Sequence, residues 1–379
     1  MVKQLVAAFL CVFAAVGGSL PPEEPVTGAR ASILIERETG QVLYEHNADE
    51  RLPIASVTKI MTLLITAQEI NAGNLTFEET AVCSDYAGSM DGSVIWLEKG
   101  EEMSVGDLIK SVVIASANDA CVMLAEHIAG SESAFVERMN KTAAELKMTN
   151  TNFMNCVGYD HENHYSTARD IAVMAGELRK YDYFDEFLLT RLDSVRTGTK
   201  RETQLLNTNK LITSYSGITG LKTGTTDGAG CCLCATAKRG NMSLIAVVLG
   251  CKDDEQRFTE AEKLLDTGFD GFEKVILRPD TSELVEVAVD GGVKKTVDTR
   301  FSGVSDVVLE KGTATEIDFH YSRTEKISAP VEQGQTLGFV TMLSGDEIIG
   351  SAKIVAAEEV EALDYGKCLS EIFGMLFTF

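Results

Sequence analysis

"SVTKIMTLLI", residues 56–65, sets a serine three positions ahead of a lysine and then runs into apolar residues broken only by Thr62. Serine at i and lysine at i+3 share one face of a helix. Pro53 just upstream and the apolar run downstream predict a buried helix that begins near Ser56. A hydroxyl at that helix start would lie at the positive end of the dipole, where developing negative charge is stabilised. Lysine is an attested partner for a serine nucleophile, though histidine is commoner. A Ser-x-x-Lys spacing also arises by chance roughly once in a chain of this length. The pair therefore acquires meaning only from the rest of the sequence.

The chain has 379 residues, 45% of them hydrophobic and 24% charged, which is ordinary for globular protein and long enough for two domains. A formal net charge of −23 argues against a nucleic-acid partner, which needs a basic footprint. Residues 1–20 read as an export signal: Lys3, then an apolar stretch from Leu5 to Val16 too short to span a bilayer, then small residues and Pro21-Pro22. Cleavage is expected within residues 18–27, the alternative being an uncleaved N-terminal anchor. The nine cysteines have no disulfide-framework spacing, and most sit in apolar segments that read as core. In "CCLC", residues 231–234, Cys232 and Cys234 fall on one face of a strand and Cys231 on the other. With no second Cys/His pair at ligand spacing these read as buried thiols, not a metal site. His161 and His164 in "DHENH" are three apart, whereas a zinc-protease helix needs four with Glu between; they read as a polar surface loop. No metal or other cofactor is expected.

"ASILIERETGQVLYEHNADE" alternates about a turn at residues 38–41 and predicts a hairpin. "SVGD", residues 104–107, reads as a capping box with Asp107 reaching back to Ser104. Helices follow over "LIKSVVIAS", over "NDACVMLAEHIAG" ending at Gly130, over about 131–147, and from Thr167. "GITGLKTG" and the hairpin "GCCLCATAKRGNMSLIAVVLGC" return to strand, and "DEQRFTEAEKLLDTGF" returns to helix with Phe258, Ala261, Leu264 and Leu265 on one face. The expected architecture is α+β: a helical cluster on an antiparallel sheet built from the first and last thirds of the domain, followed by a small all-β domain over 277–357. Within residues 363–379, Tyr365, Cys368, Leu369, Ile372, Phe373 and Leu376 form an apolar stripe at helical spacing. Two readings stand: an interfacial helix on a membrane surface, or a helix docked on the β domain.

Three motifs occur once each and in order: Ser56-Val57-Thr58-Lys59, Ser116-Ala117-Asn118 and Lys222-Thr223-Gly224. Their predicted settings are a helix start, an inter-helix turn and a strand. This set resembles the signature of penicillin-binding proteins and class A β-lactamases, except that Ala117 stands where the latter carry aspartate. "LPIASVTKIMT", "GSVIWLEKGEEMSVGDLIKSVVIASANDACVMLAEHIAGS", "TNTNFMNCVGYDHENHYSTARDIAVMA" and "GITGLKTGTTDGAGCCLCATA" are similar to the D-alanyl-D-alanine carboxypeptidases, the low-molecular-mass penicillin-binding proteins of serine peptidase family S11. The likeness covers residues 29–273.

The resemblance implies a β-lactamase/transpeptidase-like catalytic domain and an acyl-enzyme on Ser56, with Lys59 as base and Ser116 as relay to the leaving D-alanine nitrogen. It implies that Asn118 holds Lys59 or the substrate amide. It further implies that Lys222 and Thr223 on a sheet edge face the substrate carboxylate, with Gly224 leaving room. The N–H groups of Ser56 and Thr225 would form an oxyanion hole. Arg257 is a further carboxylate candidate, otherwise read as an exposed helix residue. The implied partners are the peptidoglycan stem peptide, β-lactam antibiotics and, through the tail, a membrane surface; the implied location is the outer face of the cytoplasmic membrane or the cell wall. Three rivals remain. A β-lactamase would need a deacylating glutamate, and "STARD" at 166–170 offers only Asp170. A silent wall-binding relative is opposed by the complete motif set, and a zinc D,D-peptidase by the lack of ligand spacing.

Overall fold

In the computed structural model the described residues are 28–304, 306–312, 317–364 and 366. The expected export signal at 1–20 and the apolar stripe at residues 365–376 lie outside them. The chain divides into two compact units between Gly271 and Phe272.

In the first unit, strands β1 (Ala31–Glu36) and β2 (Val42–His46) form the expected hairpin. The turn is tied down by Glu36, whose buried carboxylate accepts from the backbone N–H groups of Glu38, Thr39 and Ser243. Helices α1 (Lys59–Asn71), α2 (Val105–Ile114), α3 (Asn118–Ala129), α4 (Glu132–Glu145) and α5 (Ala168–Leu178) follow. Their ends match the sequence signals. Ser104, Ser131 and Thr167 accept the third-residue N–H at the starts of α2, α4 and α5, and Gly130 closes α3 at φ 81°. The reciprocal half of the expected capping box is replaced, because the Asp107 carboxylate pairs with Lys110 at 3.1 Å. Helix α1 buries every residue from Lys59 to Ala67, the pattern of a central helix surrounded by protein.

Strands β3 (Ile218–Thr226), β4 (Gly230–Arg239) and β5 (Met242–Cys251) complete a five-stranded antiparallel sheet in the order β2-β1-β5-β4-β3. The N-terminal hairpin joins the later strands because β1 pairs with β5, Ile33 opposite Val247. Ile33, Ile245, Val247, Cys232 and Cys234 share one core with the helices. The other face carries α6 (Asp254–Gly271). Close approach there depends on Gly268, where a Cβ would come within 2.5 Å of Leu244 and 3.0 Å of Leu34. Strands buried on both faces lose polar alternation, which is why β5 reads as a continuous apolar run.

Among the described residues the second unit is built from β-strands, with a 3₁₀ turn at Thr281–Glu283. Thr299–Ser302, Glu347–Ala356, Thr336–Ser344 and Ile317–Arg323 form a four-stranded antiparallel sheet in that order. Smaller pairings run from Phe272–Val275, against Val307–Glu310, to a bridge at Ala362, so the β structure is longer at both ends than 277–357. Among the described residues two small apolar cores hold it: one includes Val287, Val297 and Leu337, the other Leu277, Val340 and Met342.

Candidate active site

Ser56 lies in a 3₁₀ turn, Ala55–Thr58, and α1 begins at Lys59, so the serine sits just before the helix instead of inside its first turn. Ala55 takes a left-handed backbone at φ 47°, which bends the chain sharply ahead of the serine. Two glycines permit this turn to be enclosed. A Cβ on Gly158 would lie 1.9 Å from the Ala55 carbonyl oxygen, and one on Gly224 would lie 2.9 Å from the Ser56 nitrogen. The strand carrying Lys222-Thr223-Gly224 therefore runs directly against the serine turn. That strand is β3, the edge of the sheet, where backbone groups are open to an added extended chain.

Lys59 is fully buried and its Nζ contacts three acceptors: Ser56 Oγ at 2.8 Å, Asn118 Oδ1 at 2.7 Å and the Val157 carbonyl at 2.8 Å. Asn118 Nδ2 donates to the Asp91 carbonyl at 2.8 Å and to Tyr159 Oη at 3.3 Å, which turns its Oδ1 toward the lysine. The Val157 carbonyl is aimed by Asn155, whose Oδ1 accepts from the N–H groups of Val157, Gly158 and Tyr159. Burial pushes the Lys59 amine down to about 8, against an opposing influence of Cys121 and Cys156. The contact set suits both protonation states. An ammonium donates to all three oxygens; a neutral amine donates to Asn118 and Val157 and turns its lone pair to the serine hydroxyl.

Lys222 is 1% exposed and donates to Ser116 Oγ at 2.9 Å and to the Thr223 carbonyl at 3.1 Å. Burial, then the positive charges of Lys59 and Arg257, hold its amine well below the usual lysine range. Ser116 sits between α2 and α3 with φ 61°, an uncommon backbone for serine. Asn118 N–H donates to the Ser93 carbonyl at 2.6 Å. Thr223 Oγ1 donates to Thr208 Oγ1 at 2.7 Å.

Arg257 departs from the exposed helix residue of the sequence reading, because it is only 7% exposed. Its Nη1 donates to the Gly224 carbonyl at 3.0 Å and Thr225 Oγ1 at 2.9 Å, and its Nη2 pairs with Asp254. An arginine from α6 thus braces the edge strand. His164 is also no surface residue. It is 3% exposed, accepts the Met154 N–H on Nδ1 at 3.1 Å, and so presents Nε2–H to Thr58 Oγ1 at 2.8 Å. Burial pushes its imidazole down to about 4. Asp170 caps a loop, accepting from Asn150 N–H and Thr151 Oγ1. The seven described cysteines are free and buried; Cys231 faces Thr225, while Cys232 and Cys234 pack into the core.

The structure thus joins Ser56, Lys59 and Asn118 in one hydrogen-bonded chain, and Ser116, Lys222 and Thr223 in another, with Gly224 and the Thr225–Arg257 contact beside the serine turn. Sequence reasoning missed Asn155, Gly158, Tyr159, Thr208 and His164. Asn155 and Gly158 carry a legible signal, since asparagine followed three residues later by glycine marks a tight loop. The partners of Thr208 and His164 are set by chain packing and leave no local trace.

Comparison with known proteins gives the family. The D-alanyl-D-alanine carboxypeptidase family profile, peptidase S11, matches residues 20–253, and the penicillin-binding protein 5 C-terminal domain profile matches 272–362. The chain is 39% identical over 347 residues to the D-alanyl-D-alanine carboxypeptidase DacF of Bacillus subtilis, covering 91% of this chain and 89% of that one. The solved penicillin-binding protein 5 of Haemophilus influenzae superposes with a TM-score of 0.81 at 30% identity, covering 91% of this chain and 100% of that one. Penicillin-binding protein D2 of Listeria monocytogenes, solved in an ampicillin-bound form, superposes at 0.58 with 31% identity, covering 66% of this chain and 99% of that one. On its motifs, its fold and these likenesses, the chain belongs to the S11 family of serine-type D-alanyl-D-alanine carboxypeptidases.

Proposed function

We propose that this chain removes the terminal D-alanine of peptidoglycan stem pentapeptides through an acyl-enzyme on Ser56, and that β-lactams acylate the same serine. The observation that carries the reading is Lys59: a buried amine 2.8 Å from Ser56 Oγ, its other contacts filled by two groups that only accept. Ser56 Oγ attacks the carbonyl of the penultimate D-alanine while its proton passes to neutral Lys59. The oxyanion is received by the Ser56 and Thr225 N–H groups. The proton held by Lys59 then passes through Ser116, itself fixed by Lys222, to the nitrogen of the departing D-alanine, so the acyl C–N bond breaks and Lys59 is neutral again. Water then cleaves the ester and frees the shortened peptide. Lys222, Thr223 and Arg257 favour a substrate that ends in a carboxylate, lying as an added strand along β3. Asn118 holds Lys59 in its reacting position.

The ampicillin-bound relative supports β-lactams as ligands of this fold. Export and attachment of residues 363–379 to the membrane surface would bring this chemistry to the cell wall, on the outer face of the membrane. The test is intact-mass spectrometry after mixing with benzylpenicillin, with Ser56→Ala alongside, together with D-alanine release from a pentapeptide. A penicilloyl adduct lasting minutes and lost in the variant is expected. Rapid loss of the adduct with continued penicillin consumption would shift the reading to a β-lactamase. No adduct on folded protein would remove Ser56 as nucleophile.

A further inference from the structure

Trp96 is the only tryptophan of the chain. It is 69% exposed, and its backbone is left-handed at φ 55°, an unfavourable conformation for a bulky residue. The surrounding structure enforces this. Buried Asp119 accepts the N–H groups on both sides, Ile95 at 3.0 Å and Leu97 at 3.0 Å, while the Ile95 and Leu97 side chains point into the core. From the opposite direction Arg196 donates to the Ile95 carbonyl at 2.9 Å and Arg201 to the Trp96 carbonyl. Both guanidinium groups are paired with Glu101. Three hydrogen-bonding side chains, two of them fixed by Glu101, thus hold one short segment so that an indole faces outward.

The same segment borders the candidate active site. Its Asp91 and Ser93 carbonyls accept from Asn118 Nδ2 and from the Asn118 N–H, and Asp119 follows Asn118 directly. Trp96 is three residues of chain, at most ~11 Å, from Ser93, whose carbonyl meets the Asn118 N–H, a span on the scale of a stem peptide, whose four residues before the terminal one extend roughly 14 Å. Along the same segment Asp91, Ser93, Glu98 and Lys99 are exposed and polar. A protein interface requires a contiguous apolar centre. An exposed planar apolar face on a segment whose other exposed residues are polar instead matches a pyranose, which offers C–H groups on its face and hydroxyls at its edge.

We propose that Trp96 is a stacking platform for a sugar of the glycan strand that carries the stem peptide. This rests on the carboxypeptidase reading above, and it makes Trp96 a specificity-determining residue outside the reacting bond. The test compares kcat/KM for D-alanine release from free pentapeptide and from disaccharide-pentapeptide, in the full chain and in Trp96→Ala and Trp96→Phe. The wild type should prefer the disaccharide form by roughly three- to tenfold, the range of an aromatic stacking contact. Trp96→Ala should bring that ratio to about one, and Trp96→Phe should largely keep it. Trp96→Leu, which retains apolar bulk without a ring, serves if the alanine variant does not fold and should also lose the ratio.

Because no other tryptophan emits, titration with the peptide-free disaccharide should change wild-type tryptophan fluorescence, and free tetrapeptide should not. An unchanged ratio in the ring-less variants, no wild-type preference, or a fluorescence response to peptide alone would overturn the sugar platform. D-alanine release from neither substrate would instead sink the carboxypeptidase reading, while the fluorescence titration would still report on the sugar.

Discussion

Among the described residues, 28–271 bury Lys59, Ser116, Asn118, Asp119, His164, Lys222 and Arg257, whereas the two cores of 272–362 are built from Val287, Val297, Leu337, Leu277, Val340 and Met342. Lys274 is the buried charged residue of the second unit. Burying an amine or a carboxylate opposes folding unless every polar atom finds a partner. The first unit supplies most of those partners: Lys59 has three acceptors, and Asp119 has four donor contacts from three backbone N–H groups. Apolar burial needs no such matching. The difference teaches where to look for chemistry, since groups costly to bury and fully partnered are those whose reactivity the fold adjusts.

The largest break in this comparison should come from Ser56→Ala, with D-alanine release falling on the order of a thousandfold or more and the penicilloyl adduct abolished. A variant that keeps turnover would mean that the buried polar set serves only structure. Next is acid stability. The native imidazole of His164 is held at about 4, while an exposed one titrates near 6.5, so the unfolded chain binds the extra proton between those values. Stability is then complete above pH 6.5 and declines as pH falls toward 4, by up to about 3 kcal/mol. Denaturant unfolding followed by Trp96 emission reads this unit alone. In His164→Gln, whose amide can still donate to Thr58 and accept from Met154, the decline should disappear.

The pH–rate profile sharpens the case for Lys59. A base must be deprotonated to act, so acylation should rise with pH and level off above about 8, the value set by burial. Between pH 6 and pH 8 the neutral fraction grows roughly fiftyfold, and stopped-flow acylation by a chromogenic cephalosporin should follow it. A flat profile would exclude Lys59 as the base. The smallest effect concerns the second unit. Leu337→Ala removes a buried side chain from a small core, and far-ultraviolet circular dichroism under denaturant should report a loss of about 2 kcal/mol. D-alanine release by this variant should match the wild type, because the residues assigned to catalysis lie between Ser56 and Arg257.

Much of this was legible in the chain because it depends on near neighbours. The helix starts near residue 131 and at Thr167 and the helix end at Gly130 rest on local energetics, and the structure places a Ser131 cap, a Thr167 cap and a left-handed Gly130 there. Hairpin positions followed from alternation and turn residues. The sequence reading failed where a residue's environment comes from a distant segment. Arg257 looked like an ordinary helix residue but is enclosed by Gly224, Thr225 and Cys232. His164 sits in a polar run and is buried against Thr58, 106 positions away.

The sequence by itself determined which chemistry is available: a serine three residues before a lysine, a Ser-x-Asn turn and a Lys-Thr-Gly strand, each in a segment whose local propensities place it at an element end or edge. Only the tertiary structure decided the state of those groups. Burial of Lys59 and Lys222 lowers their proton affinity, and the aim of Asn118 and Val157 makes one amine a partner for Ser56. The physical reason is that the energy of a charge depends on everything within several ångströms of it. In this fold those surroundings are assembled from segments far apart along the chain.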